Sequence, residues 1–121
     1  MDPHFDGVIF KTHAAELIRR IRRPYPPCCV VDARWRGEYD EGHIPGAFPA
    51  GPDGLAALPP GTSERTELFV VGSGPEDPAM RRASLALRRL GAHRVVELTG
   101  GMVEWRLAGG PVEAGTQAKA A

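Results

Sequence analysis

Short apolar runs alternate along this chain with stretches of helical periodicity. Val8-Ile9-Phe10, Cys28 to Val31, Leu68 to Val71 and Val95 to Leu98 are brief and continuously apolar, the pattern of strands covered on both faces. After the first run, Thr12 is a plausible helix N-cap. Leu17, Ile18 and Ile21 then recur at helical spacing, with Arg19, Arg20, Arg22 and Arg23 mostly off that stripe. Pro24, Pro26 and Pro27 end this helix. Further on, Asp77 as N-cap and Pro78 at the first helical position predict a helix from Pro78 to Leu90, closed by Gly91 as its left-handed cap. A last helix begins near Gly101 and carries Met102, Val103, Trp105 and Leu107. Between these, Glu38 to Glu41 makes one helical turn and Ile44 to Phe48 leads into an edge strand. Pro49 to Ser63 is loop with one short helix at Leu55 to Leu58. Strands alternating with helices imply βαβ units. The expected fold is therefore a single α/β domain with a mostly parallel sheet of about five strands and helices on both faces.

Composition narrows the function classes without naming one. Fifteen basic and fifteen acidic residues cancel, so the net charge steers the chain toward neither nucleic acid nor anionic membrane. The arginines at 19, 20, 22 and 23 and at 81, 82, 88 and 89 read as solvated helical faces, and no nucleic-acid partner is expected. No segment approaches the roughly 20 apolar residues of a membrane span, and the N-terminus lacks an export pattern, so a cytoplasmic location and no membrane partner are expected. The only two cysteines, Cys28 and Cys29, are neighbours in a strand and point to opposite faces. They are not expected to bond each other, which fits a reducing compartment. The four histidines show no paired metal-ligand spacing, and Gly100-Gly101 lacks the lysine of a phosphate loop, so neither metal nor cofactor is expected. The tail from Glu113 to Ala121 has nothing to bury and is expected to be mobile.

Two stretches carry a family resemblance. The first is Val30-Val31-Asp32-Ala33-Arg34, then Glu38-Tyr39, then Gly42-His43-Ile44-Pro45-Gly46-Ala47. The second is Leu68 to Val71, a loop and helix ending at Leu90-Gly91, then Val95 to Leu98, Gly100-Gly101-Met102-Val103-Glu104-Trp105, and Gly109-Gly110-Pro111-Val112. In that order and spacing the chain resembles the rhodanese-like family over roughly residues 8 to 112, which implies a rhodanese-like domain over residues 5–112, expected in a bacterial protein. The resemblance implies a nucleophilic cysteine immediately after Val71, in a loop whose amides hold an anion or persulfide. That position falls on Gly72 or Ser73. The loop, Gly72-Ser73-Gly74-Pro75-Glu76-Asp77, has no thiol, has two acidic residues, and with Pro78 has two prolines that supply no N–H. Arg81 and Arg82 are the cations nearest in sequence to an anion there. Asp32, Arg34, His43, Gly46, Gly101 and Trp105 match positions that look architectural in the family.

The leading expectation is a catalytically silent member that binds a protein or small ligand, or regulates another protein, as a monomer or weak homodimer. The alternative is a thiosulfate- or persulfide-type sulfurtransferase, or a related phosphatase, working through non-standard residues such as Ser73.

Overall fold

In the computed structural model, residues 9–115 are described. The chain runs β1 (Phe10–Thr12), α1 (Ala14–Arg20), β2 (Cys28–Asp32), α2 (Arg36–Glu41), β3 (Phe48–Pro49), β4 (Glu67–Val71), α3 (Pro78–Arg89), β5 (Arg94–Leu98) and α4 (Gly101–Leu107). All five strands are parallel, in the order β1-β5-β4-β2-β3. The α/β fold expected from the alternating pattern is the fold observed.

Side-chain alternation divides the strands between two cores, as a pleated strand must. Phe69 and Val71 of β4, Val30 of β2 and Leu98 of β5 pack with Leu17, Tyr39, Met102 and Trp105 beneath α1, α2 and α4. Leu68, Val70, Val31 and Val95 turn the other way and pack on Ala79, Met80, Ala83 and Leu87 of α3. Cys28 and Cys29 follow the same rule. The first abuts the α1/α4 core, the second the α3 core, and both are free thiols.

Several local expectations shift. Val8 lies outside the described residues, and Thr12 is the last residue of β1 rather than a cap. His13 takes the N-cap position of α1 with no side-chain bond. The tertiary pairing of Thr12 with Leu98 overrides the capping propensity of a threonine. The turn expected at Glu38 to Glu41 starts two residues earlier, at Arg36, because the Glu38 carboxylate accepts from the Trp35 N–H and caps the helix. Residues 55–58 form no helix. Leu55 and Leu58 instead lie against the α3 core as loop residues, so their burial does not require helical structure. Asp77 does cap α3, accepting from the Ala79 N–H at 3.0 Å, and Gly91 follows that helix with φ of +101°.

The expected tail also begins bound. The Glu113 backbone pairs with that of His43 at 2.8 and 2.9 Å, and the Gly115 N–H reaches the Asp40 carbonyl at 2.8 Å. Periodicity could not reveal this, since the attachment uses main chain and one carboxylate rather than an apolar stripe. Residues 116–121 lie outside the described residues.

The end of β2 is tied by a buried ion pair. Arg34 donates to both oxygens of Asp32, at 3.0 and 2.8 Å, and to the Gly42 carbonyl at 2.8 Å. The side chains are 5% and 1% exposed, so removing one partner strands a charge in the interior. Arg34→Met is expected to cost about 3–5 kcal/mol in urea unfolding, and replacing both residues by apolar ones considerably less.

Candidate functional site

Ligands of open parallel sheets bind beyond the carboxyl ends of the strands, where connections leave in opposite directions. Here the chain leaves β2 toward β3 on one side, while β4 lies on the other. The loops after β2 and β4 bound a cavity of about 210 Å³ at that point. Its walls include Trp35, Glu38, Asp53, Ser73, Asp77 and Arg82.

The loop that leaves β4 is closed on itself by one carboxylate. Asp77 Oδ2 accepts from the Ser73 N–H at 2.8 Å while its Oδ1 accepts from Ala79 in the first turn of α3. An anion bound at a helix N-terminus would take such amides, and here the chain's own aspartate takes them. The contact is close: a Cβ on Gly72 would stand 2.7 Å from Asp77 Oδ2. Glu76, the other acidic loop residue, is exposed and adopts φ of +58°, a left-handed conformation that is costly for a residue with a Cβ.

The second closure comes from α4. The Met102 and Val103 N–H groups donate to the Gly72 and Ser73 carbonyls at 3.0 and 3.3 Å. This needs Gly101, which has φ of +58° and whose Cβ would lie 2.6 Å from the Gly72 carbonyl oxygen. The loop is thus held by α3 through a side chain and by α4 through main chain.

Ser73 Oγ donates to Glu38 Oε2 at 3.0 Å. A carboxylate is too weak a base to ionise an alcohol, and a hydroxyl without a stronger adjacent base is a poor nucleophile. His43 does not supply one. Its Nδ1 bonds the Tyr39 carbonyl at 2.7 Å, its Nε2 faces Glu113 at 3.3 Å, and its ring stacks on Tyr39. Gly46 donates its N–H to the same Glu113 carboxylate, and Trp105 donates to the Pro111 carbonyl. These residues, with Asp32 and Arg34, pin the segments around the cavity, and of them Arg34 also borders it.

Of the two arginines expected near the loop, only Arg82 borders the cavity, with its Nε on the Pro52 carbonyl at 3.2 Å. Arg81 borders a second cavity, of about 520 Å³, with Pro75, Glu76, Asp77 and Pro78, and grips Glu97 of β5 at 2.8 and 3.0 Å. The division follows from helix geometry: adjacent residues diverge by about 100° around the axis, so a helix directs only one of them at a given wall. Glu38 of α2 and Asp53, which follows β3, were not associated with the loop by sequence reasoning and meet it across the cavity. No local signal in the sequence marks that approach.

The cysteines stand at the other end of the sheet. Cys28 and Cys29 pair with Glu67 and Leu68 at the start of β4, whereas the loop follows Val71. Burial pushes the Cys28 thiol upward, with Glu67 adding to the rise and Arg20 opposing it. Burial also pushes Cys29 up to about 11, with the neighbouring Cys28 adding to the rise. Neither is a thiolate near neutrality. Among the described residues no three His, Cys, Asp or Glu side chains converge as a metal site, and no helix is long and apolar enough to cross a membrane.

Comparison with known proteins gives one consistent picture. The sequence profile of the family described as "Rhodanese-like domain" matches residues 13–108. An HTH-type transcriptional regulator of Mycobacterium tuberculosis is 38% identical over 105 residues, which are 84% of this chain and 43% of that protein. The chain therefore spans less than half of that regulator's length. Among solved structures, the rhodanese-like domain of the Alr3790 protein from Anabaena superposes with a TM-score of 0.74 at 31% identity, covering 88% of this chain and 80% of that one. A thiosulfate sulfurtransferase from Pseudomonas aeruginosa shares the fold, with a TM-score of 0.66 at 24% identity over 89% of this chain and 20% of its own.

Two measurements test the electrostatics described. Iodoacetamide should modify Cys29 slowly at neutral pH and much faster as the pH approaches 11. Glu97, 1% exposed, would be pushed up by burial alone, but the Arg81 and Ser84 hydrogen bonds and the charges of Arg81 and Lys11 outweigh this and hold it below its ordinary value. Its ionised form therefore adds stability above the ordinary carboxylate range, which is lost as pH falls through the depressed value. Arg81→Gln should lower the melting temperature most at pH 7, and the gap to wild type should close on acidification as Glu97 takes up its proton.

Proposed function

The chain belongs to the rhodanese-like domain family, and we propose that within it this domain transfers neither sulfur nor phosphoryl groups but acts by binding a protein or small ligand and so regulating another activity. The observation that carries this reading is the Asp77 carboxylate, which occupies the Ser73 and Ala79 amides where a transferred anion would have to sit. A thiolate or persulfide beside it would face a fixed negative charge about 3–4 Å away, an unfavourable neighbour in a partly buried site. The absence of a thiol after Val71 and the loss of two N–H donors at Pro75 and Pro78 act in the same direction.

The relative named as a transcriptional regulator supports a regulatory setting for a domain of this kind. We place the protein in the bacterial cytoplasm, where two unpaired thiols remain reduced. The cavity beyond β2 and β4 is the binding position this reading favours.

Thiosulfate and cyanide should give no thiocyanate above the uncatalysed rate, with the wild-type protein and with Cys28→Ser/Cys29→Ser alike. Turnover in either would overturn the proposal. Ser73→Cys should not restore transfer by itself. Combining it with Asp77→Asn, which keeps a capping oxygen and removes the charge, should produce a measurable affinity for sulfate by calorimetry. Tight sulfate binding by the unmodified chain would show that the hollow is open and the reading wrong.

A further inference from the structure

At the edge of the sheet farthest from the loop cavity, the structure gathers charge that the zero net balance conceals. α1 and α3 cover opposite faces of the sheet. Yet each follows a parallel strand and runs back toward the strands' amino ends, so the two helices deliver their C-termini to one edge. Contacts across that edge show the convergence. Arg20 at the end of α1 bonds Glu67 at the start of β4 at 2.8 Å, Arg94 at the start of β5 lies 3.7 Å from the same glutamate, and Arg88 near the end of α3 bonds the His93 carbonyl at 2.9 Å.

Six exposed arginines stand there: Arg19, Arg22, Arg23, Arg65, Arg89 and Arg94. Against them, among the described residues of the same segments, are exposed Glu16, which pairs with Arg19 at 3.2 Å, exposed Glu64, and half-buried Glu67, already engaged by buried Arg20. Favourable pairing with helix dipoles accounts for Arg19 and Arg89, each in the last turn of its helix. It does not account for Arg22, Arg23 and Arg65, which lie outside the helices, and Arg94 shares Glu67 with Arg20. Tyr25, 60% exposed, joins the same surface and accepts a hydrogen bond from Arg65.

We propose that this arginine edge is a contact surface for the phosphate backbone of double-stranded nucleic acid. The guanidinium groups stand on three separate chain segments; Arg19 and Arg23 share a cavity with Glu16 and Glu67, and the others stand outside it. That arrangement suits a long, evenly charged strand, because affinity for such a polyanion grows with the number of phosphates neutralised and requires no fitted groove. Arginine suits the task further, since its planar fork meets phosphate oxygens two at a time. The surface lies opposite the Asp77 loop, so the cavity and the arginine edge are available to two partners at once. The proposal does not depend on whether the loop is catalytically silent.

Fluorescence anisotropy with a labelled mixed-sequence DNA duplex tests it. Wild-type protein should bind at about 50 mM salt and weaken steeply as salt rises, with log K linear in log salt. Arg22→Gln/Arg23→Gln should weaken binding about tenfold or more and reduce that slope by about two. Arg36→Gln/Arg106→Gln removes the same charge away from this edge and should leave both nearly unchanged. If the first pair melts early, Arg65→Gln/Arg89→Gln carries the same expectation. The idea fails if the wild type does not bind at low salt, or if both double variants lose affinity equally. It also fails if polyglutamate or phosphatidylserine vesicles displace the protein as effectively as unlabelled duplex at equal charge, which would make the partner an acidic peptide or a membrane surface.

Discussion

Everything at the functional edge depends on β4 being paired on both sides and buried on both faces. β2 matches it residue for residue from Cys28 to Asp32, and β5 matches it from Arg94 to Glu97. Such a strand has no freedom to slide, because a shift of one residue would exchange the two cores. The chain must therefore leave the sheet at Val71, directly between the end of β2 and the start of α4. The loop that follows inherits a fixed position before any of its own residues are considered.

Within that position, charge decides what the loop can hold. A helix N-terminus and a run of loop amides favour an anion wherever they are free. In this chain the anion is built in, since Asp77 serves at once as the cap of α3 and as the partner of Ser73. The same aspartate that caps the helix thus also holds the Ser73 amide, the contact on which the proposed non-catalytic role rests. Around it, Glu38 and Asp53 outnumber Arg82, while Arg34 is committed to Asp32. On the proposed reading the carboxyl edge of the sheet disfavours anions, while the amino edge carries more exposed arginines than carboxylates.

That separation of charge also explains which parts of the protein were legible in its residues. The strands at Cys28, Leu68 and Val95, the capping of α3 by Asp77 and the parallel α/β class follow from short-range chemistry, and all were readable in order along the chain. Thr12, the Leu55 to Leu58 segment and Glu113 were misread because each is settled by a partner distant in sequence: β5 for the first, the α3 core for the second and His43 for the third. Arg81 and Arg82 show the same limit at closer range. Their identity is local, but which side of the loop each one borders depends on the rotation of α3 against β5, which places Glu97 under Arg81.

What the amino-acid sequence determined alone is therefore the architecture and the chemical poverty of the loop: periodicity and turn residues act over a few positions, and a missing thiol is missing in any fold. What only the tertiary structure decided is how the remaining charges meet. Asp77 filling the loop amides, Glu38 holding Ser73, and arginines from α1, α3 and the strand starts sharing one edge are all encounters between segments. Coulombic and hydrogen-bond energies depend on distance in space, and distance in space is the one quantity that spacing along a chain does not contain.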